Sequence, residues 1–234
     1  MLFNLFGSGL SPQEAVVYIG ALVLAVLIAI VAHEVAHGVV AMWNGDMTAK
    51  YSGRLTPNPL AHLEPFGFLS LLIVGVGWAK PVPVNPTNFR HIRKGIFFTA
   101  IAGVVTNFII AVITFTLWAL LGGVLLNGVL AGSLFSKFFW WFLQSAVVIN
   151  IALIAFNLLP IFPLDGFRIV ESFTHYNNPY CKFMRSYGQY IFLGIIVLDI
   201  ILGQFGISGP LSLYINFVRN SILDLFYWVR GLFV

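Results

Sequence analysis

"AVVYIGALVLAVLIAIVAHEVAHGVVAMW", residues 15–43, decides the fold class. Its first eighteen residues, 15–32, carry no charged side chain, and about 20 consecutive apolar residues suffice to cross the hydrocarbon core of a bilayer as a helix. The stretch then takes in His33, Glu34 and His37 before the apolar sequence resumes. Asn44-Gly45 follows as a helix stop, because glycine tolerates the left-handed conformation that ends many helices.

The rest of the chain agrees with a membrane setting. Of 234 residues, 59% are hydrophobic and only 9% charged, with a mean hydropathy of +0.94. Soluble domains carry about 25% charged residues, so this surface cannot be covered in the usual way. The first run is too long, and followed by too many others, to read as a removed signal peptide. The basic residues sit in loops between apolar runs and not on one face, which excludes a nucleic-acid partner. Cys181 is the single cysteine, so no disulfide forms within the chain.

Outward from the first span, residues 46–95 change texture. They contain an apolar patch, 66–78, that is too short to span and reads as re-entrant or interfacial. Pro81, Pro83 and Pro86 then favour extended backbone over helix, and the segment 79–85 is expected to add a strand to an unwound peptide substrate. Further spans are expected at 96–121, at 138–159, where "PIFPLDGF" stops the helix, and at 187–205 beyond the polar "THYNNPYCKFMRS". Residues 211–234, with Arg219, Asp224 and Arg230, read as a fifth span or as a helix lying in the interface. The fold class is therefore an all-α polytopic membrane protein of four to five transmembrane helices, with a short extended or re-entrant segment between the first two. Residues 1–234 form a single domain.

Positive charge orients the spans. Placing loops 46–95 and 163–186 in the cytoplasm puts nine of the twelve Lys and Arg residues there, as the positive-inside rule prefers. The first and third spans then both end at that side, and His33/His37 and the "LDG" of 164–166 come to one face at similar depth. The expected location is the cell membrane, multi-pass, with the site nearer the cytoplasmic face.

What the polar residues do follows from helix geometry. Residues four apart lie on one helical face, so His33 and His37 can offer imidazole nitrogens to one ion, with Glu34 beside them to accept a proton from water. H-E-x-x-H on a helix is a zinc-hydrolase signature. Ionisable groups at membrane depth cost several kcal/mol each unless paired or bound, which argues for a ligand. A catalytic zinc takes three protein ligands and leaves a position for water. The remaining candidates are His62, His91, His175, Asp165 and Asp199. Asp165 fits best, because it ends the third span at the depth the topology requires, with Pro160 and Pro163 breaking the helix and Gly166 relaxing the backbone. Asp199 reads as half of a structural or proton-sharing pair. His62 reads as a supporting or substrate-contacting group. Asn107, Asn150 and Asn157 are amides within spans, where interhelical hydrogen bonding is the ordinary role. Asn157 lies about two turns from the metal if its helix continues, where its amide could hold a substrate carbonyl.

"HEVAH" at 33–37 and "NLLPIFPLDG" at 157–166 together make the chain resemble the short-form site-2 proteases, and "GRLTPNPLAHLEPFG" (53–67) and "GWAKPVPVNPTNFR" (77–90) extend the likeness over nearly the whole length. The resemblance implies a zinc metalloendopeptidase of regulated intramembrane proteolysis. It implies that His33, His37 and Asp165 bind zinc, with one Zn2+ per chain expected, that Glu34 is the general base, and that Asn157 contacts substrate; Asn107 and His62 are further substrate-contact candidates apart from the resemblance. Expected substrates are single-pass membrane proteins or leftover signal peptides within the lipid bilayer. No PDZ or CBS domain is expected. One departure is "AGVVTN" at 102–107, where the family often has proline at the third position. Two other readings are a membrane metal-ion transporter using the same His/Asp cluster, and a scaffold with a structural zinc.

Overall fold

The computed structural model describes residues 9–74, 77–127, 132–175 and 177–231. Four helices among them are long and apolar enough to cross a membrane: α1 (Pro12–Trp43), α4 (Ile92–Asn127), α5 (Leu134–Asn157) and α7 (Pro179–Gln204). Between α1 and α4 lie two short helices, α2 (Thr48–Tyr51) and α3 (Pro65–Val74). After α5 come α6 (Asp165–Phe173) and, beyond α7, α8 (Pro210–Gly231).

The core is the bundle of α1, α4 and α5, and a four-residue rhythm builds it. On α1 the buried residues include Ala21, Ala25, Ala29, His33, His37 and Ala41. On α4 they include Gly95, Thr99, Gly103, Asn107, Ala111 and Phe115. Such ridges of small residues let helices in lipid approach closely, where van der Waals packing and not water exclusion drives association. The polar residues of interest are therefore members of the packing stripes. α1 and α5 run in the same direction, tied at their first turns by an ion pair between Glu14 and Lys137. Their C-terminal ends consequently meet at one end of the bundle.

At that end the loops are built on α1. Gly45, at φ +110°, turns the chain after the helix. Asp46 is buried and gathers the backbone N–H and hydroxyl of Thr48, the N–H of Asn85 (2.7 Å) and the amide of Asn88 (2.8 Å). Burial pushes the Asp46 carboxyl up, but these hydrogen bonds outweigh it and hold the group below its ordinary value. Asp46→Ala is expected to destabilise the protein by at least about 3 kcal/mol, since several donors to a charged acceptor lose it together. A depressed carboxyl contributes stability above its unfolded pKa of about 3.9 and loses it as pH falls through the folded value. The thermal shift between wild type and Asp46→Ala in detergent should thus be full at neutral pH and shrink in acid.

The stretch around Pro81 is extended, as its prolines predict, but forms no regular strand among the described residues, only a single antiparallel bridge between Leu63 and Ala79. It hangs from the N–H of Lys80 on the His62 carbonyl (2.9 Å), Arg54 Nη2 on the Lys80 carbonyl (2.6 Å), and the Asp46 bond to Asn85. α3, ten residues long, reaches about 15 Å at 1.5 Å per residue, half of a bilayer core of about 30 Å.

Several helices differ in extent from the sequence reading, the second span among them, at Ile92–Asn127 against 96–121. α7 begins at Pro179, inside the polar segment, because Asn178 caps it through Tyr180 N–H (2.9 Å) and proline occupies the first turn. Residues 210–231 form α8, which is not among the four span-length apolar helices. Its Phe226 packs with Ala111, Phe115, Val147 and Ile151. Asp199 serves this junction: Oδ1 accepts from the N–H groups of Leu211 and Ser212, both at 3.1 Å, and Oδ2 from the Ser212 hydroxyl. The mid-span carboxylate of α7 therefore caps α8.

Candidate active site

His33 and His37 enter the site because α1 carries them on its buried stripe, six and ten residues before Trp43 for His37 and His33 respectively, or about 9 and 15 Å from the helix end at 1.5 Å per residue. α4 fixes both rings. His37 Nδ1 lies 2.6 Å from the Thr99 carbonyl and His33 Nδ1 lies 3.0 Å from Asn107 Oδ1. Both partners are acceptors, so each Nδ1 carries the proton and each Nε2 turns a lone pair inward. Gly103, midway between Thr99 and Asn107, makes the approach possible, since a Cβ there would fall 2.4 Å from the His33 ring. The missing proline at Val104 leaves α4 continuous through this stretch.

Asp165 arrives through the helix break that Pro160 and Pro163 predict. α5 ends at Asn157, and the chain turns through Pro160 and a cis Phe162–Pro163 bond before α6 begins at Asp165. Asn157 and Asp165 are thus not two turns apart on one helix; the turn folds both onto one cavity. Gly166 is also not a hinge with unusual backbone angles, for its φ is negative. It is required because a Cβ would lie 2.4 Å from the carbonyl oxygens of Leu158 and Leu159. Close packing of α6 beneath the end of α5 aims the carboxylate.

The resulting triad is tight. The two Nε2 atoms are 3.0 Å apart, and Asp165 Oδ2 lies 3.3 Å from His33 Nε2 and 3.2 Å from His37 Nε2. Asp165 Oδ2 is buried with no hydrogen-bond partner among the described residues. With both Nδ1 protons committed elsewhere, three acceptors converge with no proton between them, which electrostatics disfavours unless a cation joins them. Ligand atoms of a four-coordinate zinc at about 2.0–2.1 Å sit roughly 3.3 Å from one another. The donor set and its spacing fit zinc.

Glu34 shares the cavity with the triad and accepts the N–H of Val82, 2.8 Å from Oε2. The remaining walls are Pro81, Val84, Pro86, Phe89, Ile96, Ala100, Pro163 and Leu164, with Thr99, Asn157 and Arg168 as polar members. Asn157 donates back to the Leu153 carbonyl (3.0 Å) from this wall. The other two residues considered for substrate contact sit elsewhere. Asn107 is fully buried behind His33, and His62 is fully buried in the loop, with Nε2 2.9 Å from the Thr56 carbonyl. Asn150 donates to the Ala146 carbonyl within its own helix.

Two supports escape a reading of side-chain motifs, Thr99 and Val82, because each acts through its backbone. Gly103 escapes it as well, although the four-residue interval of Gly95, Thr99, Gly103 and Asn107 carried a signal that could have found it. Groups that orient metal-bound histidines typically contribute 10–100-fold to metal affinity. Asn107→Ala is therefore expected to weaken zinc binding by about that factor, measured by competition with a chelator. Asn107→Asp, which keeps an acceptor for Nδ1–H, should restore most of it.

Comparison with known proteins agrees with this geometry. The profile of Peptidase family M50 matches residues 21–198, which include both 33–37 and Asp165. The chain is 39% identical over 206 residues, 88% of its length and 90% of the relative's, to "Putative zinc metalloprotease YwhC" of Bacillus subtilis (strain 168). It is 27% identical over 193 residues, 77% of this chain and 68% of the relative, to "Putative zinc metalloprotease Rip2" of Mycolicibacterium smegmatis (strain ATCC 700084 / mc(2)155). No solved structure matches the chain. This polytopic protein belongs to Peptidase family M50, the site-2 proteases, and is a metalloprotease of that family.

Proposed function

We propose that this chain is an intramembrane zinc endopeptidase that hydrolyses peptide bonds in or near the transmembrane segments of single-pass proteins or leftover signal peptides. One observation carries the reading: three inward-facing acceptors at 3.0 to 3.3 Å share one cavity with a carboxylate that is not among them. His33, His37 and Asp165 would hold one zinc. Bound there, zinc supplies a Lewis acid that makes water acidic, with a pKa of about 7, and polarises a carbonyl.

The chain's own groups supply the rest. Glu34 accepts a proton from the attacking water as its oxygen bonds to the scissile carbon. It then passes that proton to the amide nitrogen as the C–N bond breaks. To do so it must release or share the Val82 N–H. The Thr99 carbonyl and Asn107 keep Nδ1 of each histidine protonated, so that both Nε2 atoms remain available as acceptors. Asn157, on the cavity wall, positions the substrate carbonyl. The segment 79–85 lines the cavity in extended form and pairs with a substrate stretch unwound from its helix. Asn107 and His62 contribute indirectly, the first through His33 and the second by holding Lys80 in place.

The positive-inside distribution supports a cavity nearer the cytoplasm. Cysteines introduced beside His37 should react with a membrane-impermeant thiol reagent from the cytoplasmic side alone; labelling only from outside would reverse the topology. The reaction itself is tested by reconstituting the purified protein in liposomes with a membrane-spanning helical peptide. Cleavage should stop when a chelator strips the metal and return with added zinc. A peptide left intact by zinc-loaded protein at any position along its span would sink the proteolytic reading.

A further inference from the structure

Arg168 stands one turn along α6 from Asp165 and lines the same cavity as Glu34 and the histidines. It is the one Lys or Arg in that lining, and it is exposed. Its natural partners are taken. Glu171, three residues on and thus on the same helical face, has its Oε1 occupied by Arg185 of α7, whose Nε lies 3.1 Å away and whose Nη2 also contacts it. Asp165 turns Oδ2 toward the two histidines, and Glu34 accepts Val82 N–H. Among the described residues the Arg168 side chain makes no ion pair or hydrogen bond.

The surroundings sharpen the point. Lys80, Arg90, Arg93 and Lys94 are exposed in the chain segments around the cavity. The neighbouring acids are committed: Asp46 is buried within its four donors, and Glu64 accepts Gly67 N–H at 2.5 Å. A negative group approaching this end therefore meets uncompensated positive charge, which raises its local concentration. A guanidinium presents a planar fork of donors that matches a carboxylate in bidentate fashion. An arginine placed at the wall of a peptide-cleaving cavity, with its own chain's carboxylates engaged, is arranged to take one from the substrate.

We propose that Arg168 is a specificity-determining residue that binds a substrate carboxylate, supplied either by an acidic side chain flanking the scissile bond or by the C-terminus of a short peptide. This rests on the proteolytic reading above.

The test uses the full-length zinc-loaded protein and a set of helical reporter peptides of one parent sequence. Glu, Gln or Lys is placed in turn at each position flanking the cleavage site, and every peptide is made with a free and an amidated C-terminus. Wild type is expected to prefer Glu over Lys at one flanking position by about tenfold in kcat/KM, mostly through KM, as a charge-assisted pair implies. If the C-terminus is the source, the free acid should be preferred over the amide by a similar factor and the side-chain series should be flat. Arg168→Gln should remove whichever preference is found. Arg168→Glu should invert the side-chain preference toward Lys, or abolish the preference for the free acid. Zinc content measured alongside shows whether each variant keeps its metal site. Cleavage with no preference for a carboxylate from either source, or a preference that survives in both variants with zinc retained, overturns this inference alone. No cleavage of any peptide by zinc-loaded wild type overturns the proteolytic reading, and this inference with it.

Discussion

Glu34→Gln is expected to keep its zinc and lose turnover by about 10²–10⁴-fold, the usual contribution of a positioned general base. The substitution is close to isosteric, and the amide oxygen of glutamine can still accept the Val82 N–H that Glu34 Oε2 accepts at 2.8 Å. The cavity and the extended segment should therefore be preserved, and what disappears is the capacity to take a proton from water. Zinc per chain and cleavage of the reporter peptide, measured on the same preparation, separate the two properties. A variant that binds zinc and still cleaves at the wild-type rate would remove Glu34 from the chemistry. The same variant addresses the transporter alternative: zinc uptake into liposomes that persists in Glu34→Gln would favour passage of ions over hydrolysis.

Asp165→Ala carries the second large effect, on the metal itself. Wild-type protein is expected to hold about one zinc, the number a site with three protein ligands accommodates. In the variant the two histidines remain, with Nδ1 still held by Thr99 and Asn107, but the anionic ligand and its neutralising charge are gone. Outer-shell substitutions already reduce metal affinity 10–100-fold, so removal of a direct ligand should exceed about 100-fold. Metal analysis after gel filtration in detergent gives the answer. Full zinc in Asp165→Ala would move the third ligand elsewhere, yet the structure leaves few places to look. Asp199 is committed to the N–H groups of Leu211 and Ser212, and His62 is buried on the Thr56 carbonyl. Asp199→Ala makes the contrast, since it should keep zinc while loosening α8.

The membrane class, the four spans and the pairing of His33 with His37 were determined by the sequence alone. Each depends on properties local to the chain: a run of apolar side chains long enough to cross a bilayer, or a four-residue interval that helical geometry places on one face. Charge placement also anticipated that the ends of α1 and α5 share one side, and the distances from Asp165 to both histidines bear out that convergence. Even the start of α7 was written locally in Asn178-Pro179, though the polar residues that follow obscure it. Tertiary structure decided what lies behind and around those residues. It turned Asn107 from a possible substrate amide into the support of a histidine, and made the backbone of Thr99 and Val82 part of the site. It also folded the turn between Asn157 and Asp165, where the sequence placed only a helix break, and gave Asp199 a helix to cap. These outcomes depend on how closely two helices or a helix and a loop can approach: the lack of a Cβ at Gly103 admits the His33 ring from another helix, and at Gly166 and Gly209 it admits the Leu158 and Leu159 carbonyls and the Asp199 carboxylate across a turn. Sequence spacing records the face a residue occupies; only packing determines which group meets it there.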